Sequence, residues 1–272
     1  LIKLIALDLD GTLLKKDKTI SQKNIDCLRQ AKALGVKIVI CTGRPLAAIE
    51  AIIDEIGLRD TGDYSITFNG GAVQANASGE VMRAHFLNRS QVEDVFTLMQ
   101  KIDLPLDVIS EATCYHLPTA KEHPSIYQTL NPILSYEDVT LEELPKDIPY
   151  HKMVVAYEMD YLDEKIKVIP TDYYQKFNMM KSRTRLLEIL HPEVSKANAI
   201  NELATHLGIE QAEVMAIGDE ENDRSMIEYA GIGVVMGNGN PELKKVAQFV
   251  STTNEEDGVA HAIETLVLPD YQ

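Results

Sequence analysis

Asp8 and Asp10 stand two residues apart at the end of an apolar run, Leu4 to Leu14 (LIALDLDGTLL), and are followed by Gly11 and Thr12. Side chains two apart on an extended chain point the same way, so the spacing predicts that both carboxylates converge on one spot while Leu7 and Leu9 face elsewhere. Two carboxylates forced together need a compensating cation, or one of them keeps a proton. Gly11 permits the sharp turn that leaves the pair at the carboxyl end of a strand, the edge where open α/β sheets bind ligands.

Three further clusters have the same character: Thr42-Gly43-Arg44, Lys196, and Asp219 with Asn222 and Asp223. Oxygen donors from two strand ends suit a hard cation, and Mg²⁺ is the expected cofactor; no histidine or cysteine stands in these clusters, so zinc is not expected. Lys196 follows Ser195, the predicted cap of a helix, in a first turn where the helix dipole disfavours a cation. Local rules are most often broken for function. A lysine beside the backbone N–H groups of a helix start makes a site for a dianion such as phosphate.

With phosphate placed there, roles follow. Asp8 is the expected nucleophile, forming an aspartyl phosphate. Asp10, its pKa expected to be raised by the neighbouring acid, donates a proton to the leaving oxygen and then takes one from water. Thr42 and the Gly43 amide hold the transferring oxygens, while Lys196 and the metal stabilise charge. Uncatalysed phosphate-monoester hydrolysis is slow enough that acceleration reaches up to ~10²¹, so no single group suffices.

The elements that must position these residues are legible in outline. The opening run reads as a strand buried on both faces. Ser21 is a predicted helix cap with Ile20 stapled against Ile25, and Gly35 ends that helix. Val36–Cys41 is the next strand, so one crossover sets Thr42 beside the aspartates. Pro45 is expected to open a helix through Ile49, Ile52, Ile53 and Ile56. Ser65–Phe68 reads as a strand ending in Asn69-Gly70-Gly71, with a hairpin through Ser78-Gly79 after it. From about Arg83 the pattern changes. Ser90 with Glu93 reads as a capping box, His151–Tyr157 and Thr171–Phe177 as strands, and Tyr161–Ile169 as a helix, with proline-punctuated loops between. The first pattern returns near Leu187: a helix from Ser195 to Gly208, a strand over Val214–Ile217, a strand over Ile232–Met236, a helix opened by Pro241 and a last helix from about Glu255. The expected fold is therefore α/β, a Rossmann-like doubly wound, mostly parallel sheet formed by residues 1–82 and 187–272, with an α+β cap domain inserted over 83–186.

Composition bounds the function. The chain has 272 residues, 45% of them hydrophobic, and 26 basic against 42 acidic side chains give a net charge of −16. That balance argues against nucleic acid and against an anionic membrane surface as partners. Cys27, Cys41 and Cys114 form no C-x-x-C pair, which points to a reducing compartment. No apolar run approaches the ~18 residues that cross a bilayer. Asp8 and Asp10 interrupt the apolar start, which argues against a signal peptide, and an opening on Leu1 suggests that a residue or two precedes it. Cytoplasm is the expected compartment, and the expected partner is a small phosphorylated metabolite, the chain being a monomer or small homo-oligomer.

Taken alone, a D-x-D is usually a solvated turn, Gly218–Asp223 could be an acidic helix start, and the seven histidines read as packing or surface residues. Gly231 and Gly233 resemble a dinucleotide fingerprint only faintly, because Met236 stands where a third glycine belongs. The four clusters in order are another matter. Asp8–Thr12 (DLDGT), Cys41–Arg44 (CTGR), Lys196 and Gly218–Asp223 (GDEEND) resemble the four motifs of the haloacid dehalogenase superfamily. Their order, and a large insertion between the second and third, resemble its Cof-type branch and the YidA-like sugar phosphatases within it. The likeness includes Asn69-Gly70-Gly71 and the run Leu187–Leu190. That resemblance implies a Mg²⁺-dependent phosphatase in which Asp8 is nucleophile and metal ligand, Asp10 is acid/base and binds the metal by its backbone carbonyl, and Asp219 is a metal ligand. It further implies that Leu9 (by its backbone), Thr42, Gly43, Lys196 and Asn222 contact phosphate, with Asp223, Arg44 and Asn69 in support and the insertion acting as a lid. Ala197 departs from the pattern, since many relatives have glycine after the lysine. Glu111, His116, Tyr127, Lys152 and Arg183 are candidates for setting substrate choice. Two alternatives use the same residues: a phosphoaspartyl switch resembling a response-regulator receiver, and a sugar-phosphate mutase.

Overall fold

In the computed structural model, which describes residues 1–119 and 123–271, β1 (Leu4–Leu7) is buried along its whole length. Its alternate side chains enter two different cores: Ile5 and Leu7 pack with residues of one apolar cluster, Leu4 and Ala6 with those of another. A strand that buries both faces has no polar alternation, which is why the opening run reads as continuous apolar sequence. The chain then forms α1 (Gln22–Ala33), β2 (Lys37–Cys41), α2 (Glu50–Ile56), β3 (Tyr64–Thr67), β4 (Ala72–Ala75) and β5 (Val81–Ala84). Ser21 caps α1 as expected, its side chain accepting the Asn24 amide. The helix expected from Pro45 is interrupted. Pro45 itself is extended (ψ 160°), residues 46–48 make a single 3₁₀ turn, and α2 starts only after Ile49 (φ −123°).

The insertion contributes α3 (Arg89–Ile102), β6 (Asp107–Ser110), β7 (Thr113–His116), α4 (Tyr127–Leu130), β8 (Ser135–Asp138), β9 (Lys152–Ala156), α5 (Met159–Ile166), α6 (Tyr173–Lys176), β10 (Asn178–Arg183) and β11 (Leu186–Leu190). Its described residues form a six-stranded sheet in the order β10-β11-β9-β6-β7-β8 over its own apolar cluster. Three sequence expectations are corrected here. The cap of α3 is Asn88, whose side chain accepts the Gln91 amide at 3.0 Å while Gln91 Oε1 accepts the Asn88 amide at 2.9 Å. Ser90 and Glu93 lie inside the helix, where Glu93 pairs with Arg89 at 2.8 Å. Residues 171–177 are not a strand; Tyr173 and Phe177, one helical turn apart, both pack on the apolar cluster of the inserted unit, so tertiary packing overrides their strand propensity. Leu186–Leu190, placed with the core from Leu187 onward, pairs antiparallel with β9 and β10 and belongs to the inserted sheet.

The returning chain forms α7 (Lys196–His206), β12 (Val214–Gly218), α8 (Arg224–Tyr229), β13 (Ile232–Val235), α9 (Pro241–Lys244), β14 (Phe249–Val250) and α10 (Gly258–Leu266). Two units result, Leu1–Ala84 with Ser195–Gln272, and His85–Val194. In the first, the described residues make an eight-stranded sheet in the order β14-β13-β12-β1-β2-β3-β4-β5, parallel from β14 to β3 and antiparallel beyond it. Helices cover both faces, with Ile25, Leu28, Ile53 and Ile263 in one core and Ile200, Leu203, Met226 and Ile227 in the other. The expected doubly wound α/β fold is thus observed. Because β1 lies between β2 and β12, the carboxyl ends of three adjacent parallel strands carry Asp8, Thr42 and Asp219 side by side, at the edge where such sheets bind ligands. Among the described residues, no helix is long and apolar enough to cross a membrane.

Candidate active site

Lys196 organises the site. It is the first residue of α7, 1% exposed, and its Nζ donates to Asp8 Oδ1 at 2.7 Å and to Asp223 Oδ1 at 2.6 Å. Ser195 caps the helix by accepting the Asn198 amide at 3.0 Å. A cation at a helix start is locally unfavourable; two buried carboxylates reverse that balance. Burial works against the Lys196 charge, but Asp223 and Asp8 outweigh it and raise its pKa above the ordinary lysine value.

Asp223 is held as firmly. Its Oδ2 accepts the backbone amides of Asp219 at 2.8 Å and Glu220 at 3.0 Å, so it orients Lys196 and shapes the loop after β12. Asp219 accepts the Thr12 hydroxyl at 2.8 Å. Its other oxygen lies where Gly11, at φ +84°, has no side chain: a Cβ there would stand 2.1 Å from Asp219 Oδ2. The glycine after the aspartate pair therefore serves the approach of Asp219 as well as the turn. Asp8, Asp219 and Asp223 each offer a carboxylate oxygen, all within 4.8 Å of one another.

Asp10 departs from expectation. The strand ends at Leu7, Leu9 lies in a turn, and Asp10 forms an isolated bridge with Leu14. The carboxylate is taken by Arg44, bidentate at 3.0 and 2.7 Å, and by Lys18 at 2.7 Å. Burial pushes its pKa up, but the hydrogen bonds from Arg44 and Lys18 outweigh burial and hold it below the usual carboxylate range. The expectation of a raised Asp10 is overturned by these two cations. The raised carboxyls are its neighbours. Burial, joined by Asp223 and Asp10 and opposed by Lys196, pushes Asp8 up to about 7. Burial, with Asp8 and Asp223, pushes Asp219 up to about 8 against the Thr12 hydrogen bond.

The remaining residues line the same edge. Thr42 is buried and its hydroxyl accepts the Arg44 amide at 3.2 Å, leaving its own proton to donate. Asn69, 3% exposed, donates its amide to the Thr42 carbonyl at 2.9 Å, packs against Gly43, and accepts Asn222 Nδ2 at 3.4 Å. Gly70 (φ +100°) lets this turn meet the start of α7, since a Cβ would fall 2.2 Å from the Ser195 carbonyl. Leu9 is buried, and its carbonyl accepts the amides of Thr12 at 3.2 Å and Leu14 at 2.8 Å, closing the turn. Sequence reasoning missed Thr12 as a partner of Asp219, although its place in DLDGT was a signal. It also missed Lys18, and Asn238, which donates to the Gly11 carbonyl at 2.8 Å. Neither carries a local pattern. In the inserted unit, His116 is engaged by Asp107 at 2.5 Å and Lys152 by Glu188 at 3.2 Å; Tyr127 is buried, while Glu111 and Arg183 are exposed.

A pH dependence follows from the raised pair. Between the ordinary value of 3.8 and the values of about 7 and about 8, Asp8 and Asp219 hold protons in the folded chain that the unfolded chain has lost. Their contribution to stability is full below 3.8 and declines as pH rises through those values. Urea denaturation of metal-free protein is therefore expected to show falling stability from about pH 6 to about pH 8, with the fall reduced by saturating Mg²⁺. A flat profile without metal would count against this electrostatic picture.

Comparison with known proteins agrees with the geometry. A model of the haloacid dehalogenase-like hydrolase family matches residues 5–263. YxeH of Bacillus subtilis (strain 168), which carries a provisional phosphatase name, is 40% identical over 266 residues, covering 98% of each chain. YitU of the same organism, named 5-amino-6-(5-phospho-D-ribitylamino)uracil phosphatase, is 30% identical over 283 residues, covering 96% of each. The solved structure of BT4131, described as a subclass IIB sugar phosphatase of that superfamily, is similar with a TM-score of 0.76 at 25% identity, over 96% of this chain and 98% of its own. The chain belongs to the haloacid dehalogenase-like hydrolase family, as one of its phosphatases.

Proposed function

We propose that the chain hydrolyses phosphate monoesters of small polyhydroxylated metabolites, sugar phosphates among them, through a phosphoaspartate on Asp8 and with Mg²⁺ as cofactor. The observation that carries this reading is the buried Lys196 Nζ between Asp8 and Asp223, at 2.7 and 2.6 Å, beside Asp219. One lysine among three buried carboxylates leaves surplus negative charge. The three donors are hard oxygens, which fits Mg²⁺. Asp8 and Asp219 would hold it with the Asp10 backbone carbonyl, while Asp223, engaged by Lys196 and two amides, orients its neighbours. When bound, Mg²⁺ would neutralise charge on the phosphate oxygens.

The chain's own groups do the rest. A carboxylate oxygen of Asp8 bonds to phosphorus as the bond from phosphorus to the leaving oxygen breaks. Thr42, the Gly43 amide, the Leu9 backbone, Asn222 and Lys196 hold the transferring oxygens. Water then attacks phosphorus, releases phosphate and regenerates Asp8. Held ionised by Arg44 and Lys18, Asp10 is prepared to take the proton of that water. To protonate a leaving oxygen it must first loosen from those cations. The substrate class is supported by the names of two relatives, which state phosphate esters of a sugar and of a ribityl chain.

Asp10→Asn is accordingly expected to cost about 10²- to 10⁴-fold in kcat on alkyl phosphates, and less on 4-nitrophenyl phosphate, whose phenolate leaves without a proton. Equal losses on both would remove the general-acid role. The substrate reading is tested by phosphate release from a panel of sugar phosphates with Mg²⁺ and with a chelator. Resolving sugar-phosphate isomers in the products separates hydrolysis from a mutase.

A further inference from the structure

We propose that His85, His191 and Glu193 form a transition-metal site in the inserted unit, of the class that takes Zn²⁺, separate from the aspartate cluster. His85 opens that unit and the other two lie near its end, so residues far apart in sequence supply the donors. The imidazole rings lie nearly parallel with centroids 5.6 Å apart and an interplanar angle of 20°. His85 Nδ1 stands 3.3 Å from Glu193 Oε2, and one ligand atom from each of the three residues falls within 4.8 Å of the others. The Glu193 amide donates to His191 Nδ1 at 3.3 Å, which curls the His191-Pro192-Glu193 turn back so that its carboxylate reaches His85.

Two imidazoles and one carboxylate are a donor set that holds Zn²⁺ with a further position for water. Nitrogen donors also separate this site from the all-oxygen cluster, because Mg²⁺ prefers oxygen and a borderline-soft cation prefers imidazole. An entry path exists, since the Glu193 side chain is 68% exposed. The inserted unit holds another trio, Asp107, Cys114 and His116, and the contrast is informative. There both Asp107 oxygens are engaged, by His116 and Ser125 at 2.5 Å each, and the aspartate is 1% exposed, so that group is a closed hydrogen-bonded network. An ion at His85, His191 and Glu193 would tie the first residue of the inserted unit to its last turn and stabilise the fold by mass action.

The probe is Co²⁺, titrated into the full chain in excess Mg²⁺ and followed by visible absorption. The expected result is a ligand-field band that Zn²⁺ abolishes, with Zn²⁺ raising the midpoint of thermal unfolding. His85→Ala and His191→Ala each weaken Co²⁺ binding by about 100-fold or more, beyond the roughly 10- to 100-fold typical of losing a ligand's supporting partner. Glu193→Gln, at a side chain 68% exposed, weakens it by about tenfold. Absence of the band at about tenfold metal excess, retention of wild-type affinity in Glu193→Gln and either histidine variant, or loss of the band in Asp8→Asn instead would each overturn the proposal. The aspartate-cluster reading is unaffected by any of these results.

Discussion

Asp8→Asn protein is expected to lose about 10⁴-fold or more in kcat, roughly 5 kcal/mol of transition-state stabilisation. The amide that replaces the carboxylate cannot attack phosphorus, and it removes half of the charge that brackets Lys196. The same substitution is expected to leave metal-free stability unchanged or to raise it by about 1 kcal/mol near pH 8, the usual sign where an active site has kept a destabilising group. The reason is local: burial already pushes Asp8 up to about 7, so at higher pH the ionised group costs the folded state what a neutral amide does not. Steady-state phosphate release and urea denaturation on one preparation separate the two effects. Turnover within about tenfold of wild type would remove Asp8 from the nucleophile's role, since a factor of that size is only about 1.4 kcal/mol.

Lys196→Met is expected to be damaging in both measurements. The lysine side chain is fully buried, and Asp8 and Asp223 beside it are 9% and 0% exposed. Removing one partner from such a group leaves uncompensated buried charge, which costs about 3–5 kcal/mol. Phosphate turnover is expected to fall by about 10³-fold, the scale of losing a preorganised donor at developing charge. Arginine should not rescue, because its larger planar fork has no space at a side chain with no exposure. The stability loss is expected to shrink as pH falls toward about 7, because without Lys196, which lowers the Asp8 pKa, Asp8 takes up its proton at a higher pH. Denaturation at two pH values checks the sign; a loss that grows toward acid would contradict the assignment of Asp8 as the raised acid.

How much of this was legible beforehand depends on the distance over which each feature is decided. Strand β1 and the Ser21 and Ser195 caps rest on burial patterns and hydrogen bonds within a few residues, and the crossover that sets Thr42 beside Asp8 follows from the fixed hand of such connections. Such patterns repeat along the chain and can be read from it. At the start of α3 the Ser90 signal misled, because Asn88, two residues earlier, pairs reciprocally with Gln91, and only the folded backbone shows it.

The amino-acid order alone determined that acidic residues would end two strands and that a lysine would stand, against the dipole, at a helix start. It could not determine where each side chain would turn once the strand stopped. Asp10 was expected to carry the raised pKa, yet Arg44 and Lys18 hold it low, because its charge depends on which cations the tertiary fold delivers to that edge. Leu186–Leu190 looked like core and joined the inserted sheet, and His85 met His191 across the length of the insertion, for the same reason. Local periodicity encodes which face is buried; the pairing of distant groups is settled only when the elements carrying them pack.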